Sequence, residues 1–233
     1  QSYYYVVTYN DLISKANHDL TARELKIMDF VISKIKPDDR NFNIIETSLY
    51  EMGQLFGYSR SGKNYSDLAK AIGTLRKKEV LILDEQDRTI TQTGWVESAK
   101  YHENGQVEIR LSSDLAPYLL QLKSDYTQYR LFDTVQLDSK YSIRLYKLMR
   151  EANKDKGKTC PTLQATPEEL ARIISTKWEL GLNGGVVVAN PIPVEFSMDY
   201  NLITESIENA VKEAEKNGIK GKETTPFLLA KIK

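Results

Sequence analysis

The sequence is poor in the residues that build metal and redox centres. It holds one cysteine, Cys160, and two histidines, His18 and His102, in 233 residues. One cysteine excludes an internal disulfide and fits a reducing compartment. Three such residues are too few for a zinc site of the usual kind, so neither a metal nor a cofactor is expected. Charge of one sign is missing too: 32 basic and 32 acidic residues give a formal net charge of zero. No global field draws the chain to nucleic acid or membrane, and any such attraction has to be local. No apolar run approaches the roughly 20 residues that span a bilayer. The start, QSYYYVVTYNDLISK, lacks a basic n-region and an apolar h-region. A cytoplasmic setting is the expectation. Short-period repeats and low-complexity tracts are absent.

What is present is an ordinary globular composition, 41% hydrophobic and 27% charged. It changes abruptly along the chain. Thirteen of the fourteen tyrosines lie before residue 147, and the last arginine is Arg172. Beyond it come lysines only, five glycines and the run GGVVVANPIP. This shift predicts a boundary near residues 173–178, and a softer one lies between Tyr129 and Asp138. The segment NKDKGKTCP reads as an exposed loop.

The patterning predicts a short extended start at Tyr4–Thr8 and a short helix over residues 10–16. Thr21 followed by Glu24 has capping-box spacing. Leu25, Met28, Ile32 and Ile35 then recur at helical spacing up to Pro37. NFNIIET reads as a strand. A second helix, capped by Thr47 or Ser48, runs through Phe56 and stops at Gly57. A third, about Tyr65 to Lys78, follows the turn SRSGKN, with Leu68, Ala71, Ile72 and Leu75 on one face. The strands VLILD, TITQTGWVESA and QVEIRLS come next, the last two joined by the turn HENG. Leu115 to Leu122 reads as a short helix. Helix, strand, helix, turn, helix and β-hairpin in that order make a winged helix, whose third helix suits the major groove.

Two basic runs stand out. Arg60 to Val80 carries six basic residues against Asp67 and Glu79, a local net of +4. Ser59, Ser61, Asn64 and Tyr65 gather at the helix start, where small polar groups and backbone N–H groups can bond phosphate. The plainer reading is a solvated helix face, and the winged-helix context outweighs it. Ser139 to Lys158 carries seven basic residues against Glu151 and Asp155, a net of +5. There Tyr141, Leu145 and Leu148 form a core stripe, and Arg144 has the alternative role of tying the helix down. The candidate phosphate contacts are Ser59, Arg60, Lys63, Asn64, Lys70, Arg76 and Lys77, with Lys140, Arg144 and Lys147 from the second run. No catalytic constellation is legible. Gly57, Gly62 and Gly73 do not form a phosphate loop, no nucleophile elbow occurs, and the pair Asp38-Asp39 belongs to a turn. His18, beside the Thr21 cap, and His102, in a hairpin turn, are both expected to face solvent.

Four blocks carry a resemblance. YNDLISKANHDLTARELKIMDFVISKIKPDD, NYSDLAKAIGTLRKKEV, GQVEIRLSSDLAPYLLQLKSDYTQY and LDSKYSIRLYKLMREA resemble, in order, the replication initiators of theta-replicating, iteron-bearing plasmids. The resemblance covers residues 6–174 and implies two winged-helix domains. It also implies binding to double-stranded origin iterons, a homodimer through the first domain, and recruitment of host initiator and helicase. It sets the first domain at 1–130 and the start of the second at 131–176, with TPEELARIIS as that domain's second helix. A basic recognition helix should follow. Instead residues 177–233 resemble the C-terminal part of pseudouridine-5'-phosphate glycosidases, through GLNGGVVVANPIP and GIKGKETTPFLLAKI.

That last segment holds seven lysines and eight acids. Its predicted helix, Leu202 to Lys216, carries Glu205, Glu208, Glu213 and Glu215, which phosphates would repel. The resemblance puts the glycosidases' catalytic lysine and metal-binding aspartate upstream of the matched segment, and an asparagine-bearing motif downstream. The expected fold is therefore α+β: tandem winged helix, the first complete and the second truncated, with a foreign α/β segment at the C-terminus. The expected function is non-enzymatic origin binding. The alternatives are glycosidase activity, or a winged helix used only to dimerise.

Overall fold

The computed structural model describes residues 4–84 and 87–152, and the backbone of two further strands, Trp178–Asn183 and Val186–Pro191. Strand β1 (Tyr5–Tyr9) leads into a one-turn helix α1 (Asp11–Ser14) and a two-residue strand β2 (Ala16–Asn17). The central helix α2 (Ala22–Ile32) begins where the sequence places it. The Thr21 hydroxyl accepts from the Glu24 N–H at 3.3 Å, and the Glu24 carboxylate accepts from the Thr21 N–H at 2.7 Å. Leu25, Ile27, Met28, Phe30 and Val31 are all buried. A helix apolar on more than one face belongs in the middle of a core. It ends at Ile32, short of Pro37, because Lys34 and Ile35 bond back only three residues, to Val31 and Ile32.

Strand β3 (Ile45–Ser48) runs directly into α3 (Leu49–Leu55), capped by Ser48, which accepts from the Glu51 N–H at 3.0 Å. Gly57 ends the turn with φ +70°, a conformation that side chains with a Cβ adopt at a cost. Helix α4 (Gly62–Leu75) starts three residues before the expected Tyr65, because Ser61 caps it by accepting from the Asn64 N–H. Leu68, Ile72 and Leu75 are its buried face.

The hairpin β4 (Glu79–Asp84) and β5 (Thr89–Gly94) follows, and β4 also pairs with β2. The segment TITQTGWVESA is two strands rather than the single strand expected. After β5 the chain turns at Trp95 into β6 (Val96–Tyr101), which joins a different sheet in the order β3, β7, β6, with β7 at Gln106–Leu111. Trp95 is buried and meets the His18 ring edge-on at 5.3 Å. Burying this large side chain at the corner favours the break over continued pairing. The hairpin that closes onto β3 is therefore β6–β7. The hairpin immediately after α4 is an addition beside it.

A 3₁₀ turn at Ser113–Leu115 and the short helix α5 (Ala116–Leu119) lead to β8 (Tyr126–Arg130). Strand β8 pairs antiparallel with β1, Tyr5 opposite Arg130 and Tyr9 opposite Tyr126. Helices α6 (Leu131–Val135) and α7 (Lys140–Ala152) then pack against α2. One buried cluster runs from Val6 to Ile143 and Tyr146. The two further strands, β9 (Trp178–Asn183) and β10 (Val186–Pro191), form an antiparallel pair. The helices expected from Thr166 and over Leu202 to Lys216 lie outside the described residues. Among the described residues no helix is long and apolar enough to cross a membrane.

Candidate nucleic-acid interface

The seven candidates between Ser59 and Lys77 gather on α4 and the turns at its two ends. Ser59, Arg60, Lys63, Lys70, Arg76 and Lys77 are exposed. Lys63 and Lys70 are seven residues apart, two turns of helix, and so share a side opposite Leu68, Ile72 and Leu75. Lys77 extends that line past the helix end. At the start of α4 the Asn64 side-chain amide donates to the Ser59 carbonyl at 2.9 Å and to the Ser59 hydroxyl at 3.1 Å. These bonds fix the turn that leads into the helix.

The acids on this stretch are engaged elsewhere. Asp67 lies 3.4 Å from Arg23 of α2, and Glu79 accepts from the Gln92 amide at 2.6 Å. One base turns inward: Lys78 Nζ lies 2.8 Å from the buried Glu24 carboxylate. Lys63, Lys70, Arg76 and Lys77 have no ion-pair partner among the described residues. Their charge is left for solvent or for an incoming polyanion. The β6–β7 hairpin is fastened to this helix. Tyr101, at the end of β6, donates its hydroxyl proton to the Ala69 carbonyl at 3.1 Å. Burial pushes the Tyr101 phenol up, against the opposing pull of Arg76, so it stays a donor across the physiological range.

The second basic run is arranged in the opposite way. Lys147 Nζ lies 2.6 Å from Asp29, which is fully buried on α2. Arg144, itself 5% exposed, donates to the carbonyls of His18 at 3.4 Å and Ala16 at 3.5 Å. Burial pushes its guanidinium down to about 10, so it remains charged at neutral pH. Arg150 donates to the Gln128 carbonyl at 3.1 Å. Lys140 lies 3.5 Å from Asp19 and 5.3 Å from the centre of the Tyr141 ring. Arg144 and Lys147, expected at phosphate, are thus turned into the protein. Their cationic ends meet carbonyls and a carboxylate that cost free energy to bury alone. Lys154, Lys156 and Lys158 lie outside the described residues.

His18 corrects a further expectation. It is buried, its Nδ1 accepts from the Leu20 N–H at 3.4 Å, and its ring is held against Trp95. Burial first, then the cations Arg144, Lys147 and Lys78, push its pKa well below the usual imidazole range. His102 is exposed in the hairpin turn as expected, 2.6 Å from Glu108. Sequence reasoning missed Tyr50. It sits on α3, 45% exposed, with the Arg60 guanidinium 4.8 Å from its ring centre.

A three-stranded sheet closed by the β6–β7 hairpin, with α3 and α4 in a helix-turn-helix beside it, defines a winged-helix protein. Comparison with known proteins narrows this. The family model described as Initiator Replication protein, WH1 matches residues 5–150, more than half the chain. The chain belongs to that family. Among solved structures, the crystal structure of Pi initiator protein in complex with iteron DNA aligns with a TM-score of 0.68 and 14% sequence identity. The match covers 93% of this chain and 87% of that one, and establishes the shared fold.

The C-terminal part has different relatives. A model described as Indigoidine synthase A like protein matches residues 152–233. The pseudouridine-5'-phosphate glycosidase of Clostridium botulinum (strain Langeland / NCTC 10281 / Type F) is 65% identical over 68 residues, 29% of this chain and 22% of that protein. That of Petrotoga mobilis (strain DSM 10674 / SJ95) is 54% identical over 80 residues, 34% of this chain and 26% of that protein. The chain thus spans about a quarter or less of the length of these glycosidases. An initiator part is joined to a glycosidase-like part, and the two family matches meet near residue 151.

Proposed function

We propose that this chain binds double-stranded origin DNA through α4 and the β6–β7 hairpin, as a replication initiator. The observation that carries the reading is the set of exposed cations on α4 and just past its end, Lys63, Lys70, Arg76 and Lys77, whose charges have no ion-pair partner among the described residues. A duplex polyanion condenses counterions, and each phosphate neutralised by such a group releases them. With Arg60, five cations contribute. The slope of log affinity against log salt should then be about −4 to −5, from roughly −0.9 per phosphate. Ser59 and Asn64 serve the backbone at the helix start. Lys140, Arg144 and Lys147 serve the fold.

The proposed organisation is an initiator unit that includes α7, in place of the expected end at 130, followed by a glycosidase-like segment that begins near residue 152, where the two family matches meet, rather than at 177. Dimerisation through the first unit belongs to the same proposal. Because the glycosidase match replaces the sequence expected for a basic reading helix, binding should be strong in its phosphate component and weak in sequence preference. The test is a titration against random duplex and against a library of repeated motifs, at low and at moderate salt. Salt-steep binding supports the reading, and an enriched repeat would show that a base-reading surface survives. No binding at low salt would overturn it and leave dimerisation alone.

The similarity of residues 152–233 to glycosidases favours one other reading, that the chain cleaves pseudouridine-5'-phosphate. We propose that it does not, since the resemblance places the glycosidases' catalytic lysine and metal-binding aspartate upstream of the segment 177–233. Manganese-dependent release of uracil from that substrate would overturn this.

A further inference from the structure

We propose that Tyr50 and Arg60 form a two-residue phosphate clamp, in which Tyr50 positions the Arg60 guanidinium and adds a donor of its own. The inference rests on the DNA-binding reading above and extends it from α4 to α3. The two residues are ten apart and meet because Gly57 turns the chain back between the helices. Arg60 donates through Nη2 to the Tyr50 hydroxyl oxygen, and its guanidinium carbon lies 4.8 Å from the centre of the Tyr50 ring. Both side chains are exposed, and Tyr50 is 45% so. No acid pairs with Arg60 among the described residues.

Three features of this geometry suit phosphate. An unrestrained arginine loses rotamer freedom when it binds, and a ring contact with a hydrogen bond restricts it beforehand. The bond to Tyr50 uses one of the guanidinium's five N–H donors, leaving four for a fork on phosphate oxygens. The Tyr50 hydroxyl accepts that bond through its oxygen, so its own proton stays available to a second phosphate oxygen. An acid in place of Tyr50 would hold Arg60 too, but would repel the phosphate. A neutral phenol orients the cation without cancelling its charge.

The experiment uses the full chain and a fluorescent random-sequence duplex, with affinity measured across a range of salt for the wild type, Tyr50→Phe, Tyr50→Leu, Arg60→Ala and Arg60→Ala with Tyr50→Leu. Tyr50→Phe keeps the ring and should weaken binding about threefold; Tyr50→Leu should weaken it roughly tenfold, the range of one or two modest hydrogen bonds. The salt slope should stay unchanged in both, since neither removes a cation. Arg60→Ala should lower the slope by about one. In the Arg60→Ala background, Tyr50→Leu should cost only about threefold, less than in the wild type, because the hold on Arg60 is already gone and only the tyrosine's own donor remains to be lost. Circular dichroism checks that the variants are folded.

Equal losses from Tyr50→Leu in the two backgrounds would overturn the clamp, as would wild-type affinity in both tyrosine variants. Either outcome leaves the α4 reading intact. Loss of salt dependence in the wild type itself would overturn that reading first.

Discussion

Lys147 reaches across from α7 to place its ammonium 2.6 Å from the Asp29 carboxylate, which has no exposure to solvent. Tyr129 donates to the same Asp29 oxygen at 3.1 Å. Removing one partner of a buried pair strands the other charge, at a cost of about 3–5 kcal/mol. Lys147→Ala should therefore lower the unfolding free energy by that order in urea denaturation. Its effect on the salt slope of DNA binding should be negligible. A stable Lys147→Ala protein whose salt slope falls by about one would return Lys147 to the phosphate interface.

Arg76 makes the opposite prediction. It is exposed at the end of α4 and has no ion-pair partner among the described residues. Surface substitutions of this kind usually change stability by less than about 0.5 kcal/mol. Arg76→Ala should leave the urea midpoint in place and weaken binding about equally on unrelated duplexes, as loss of a backbone contact does. A loss confined to one DNA sequence would make Arg76 a base reader instead.

His18 links stability to acidity. Its folded pKa lies well below the ordinary imidazole value of about 6.5, first through burial and then through Arg144, Lys147 and Lys78. The unfolded chain therefore takes up a proton near 6.5 that the folded protein refuses. The stabilising contribution is complete above about pH 6.5 and is lost as the pH falls from there toward the folded pKa, at no more than about 1.4 kcal/mol per pH unit. Urea midpoints for wild type and His18→Gln at pH 7.5 and 5.5 test this. The wild type should lose stability over that interval more steeply than the variant. Parallel losses would mean that other groups, among them the carboxylates, set the acid response.

How much of this was legible in the sequence depended on distance along the chain. The Thr21–Glu24 capping box and the buried stripe of α4 are local, so spacing alone announced them. The break at Trp95 is not local. No proline or charged turn interrupts TITQTGWVESA, and the pairing of β5 with β4 and of β6 with β7 separates the two halves. The two basic runs look alike as sequence. Lys147 finds Asp29 118 residues earlier and Arg144 finds the Ala16 carbonyl 128 residues earlier, while the α4 cations find no such partner among the described residues. A charge turned inward and a charge turned outward leave the same letter in the sequence. The Tyr50–Arg60 pair was hidden for a related reason, because a turn rather than a helical period brings its members together.

The same long-range contacts predict where the chain can be cut. The buried cluster is closed by Ile143 and Tyr146 on α7, and Tyr146 donates to Asp133 at 2.8 Å. A fragment of residues 1–152 keeps these contacts, the β1–β8 pair and the Asp29–Lys147 pair. It should unfold cooperatively in urea and retain the salt slope of the full chain. A fragment of residues 1–130 keeps the α4 surface but leaves Asp29 buried without its cation and strips the cover from α2. The lost ion pair and the lost apolar burial, about 1.5–3 kcal/mol for each large side chain, together approach the whole stability of a small domain. The shorter fragment should therefore lack a cooperative transition. If it folds as stably as residues 1–152, then α7 is an appendage rather than part of this core, and the Lys147 prediction fails with it.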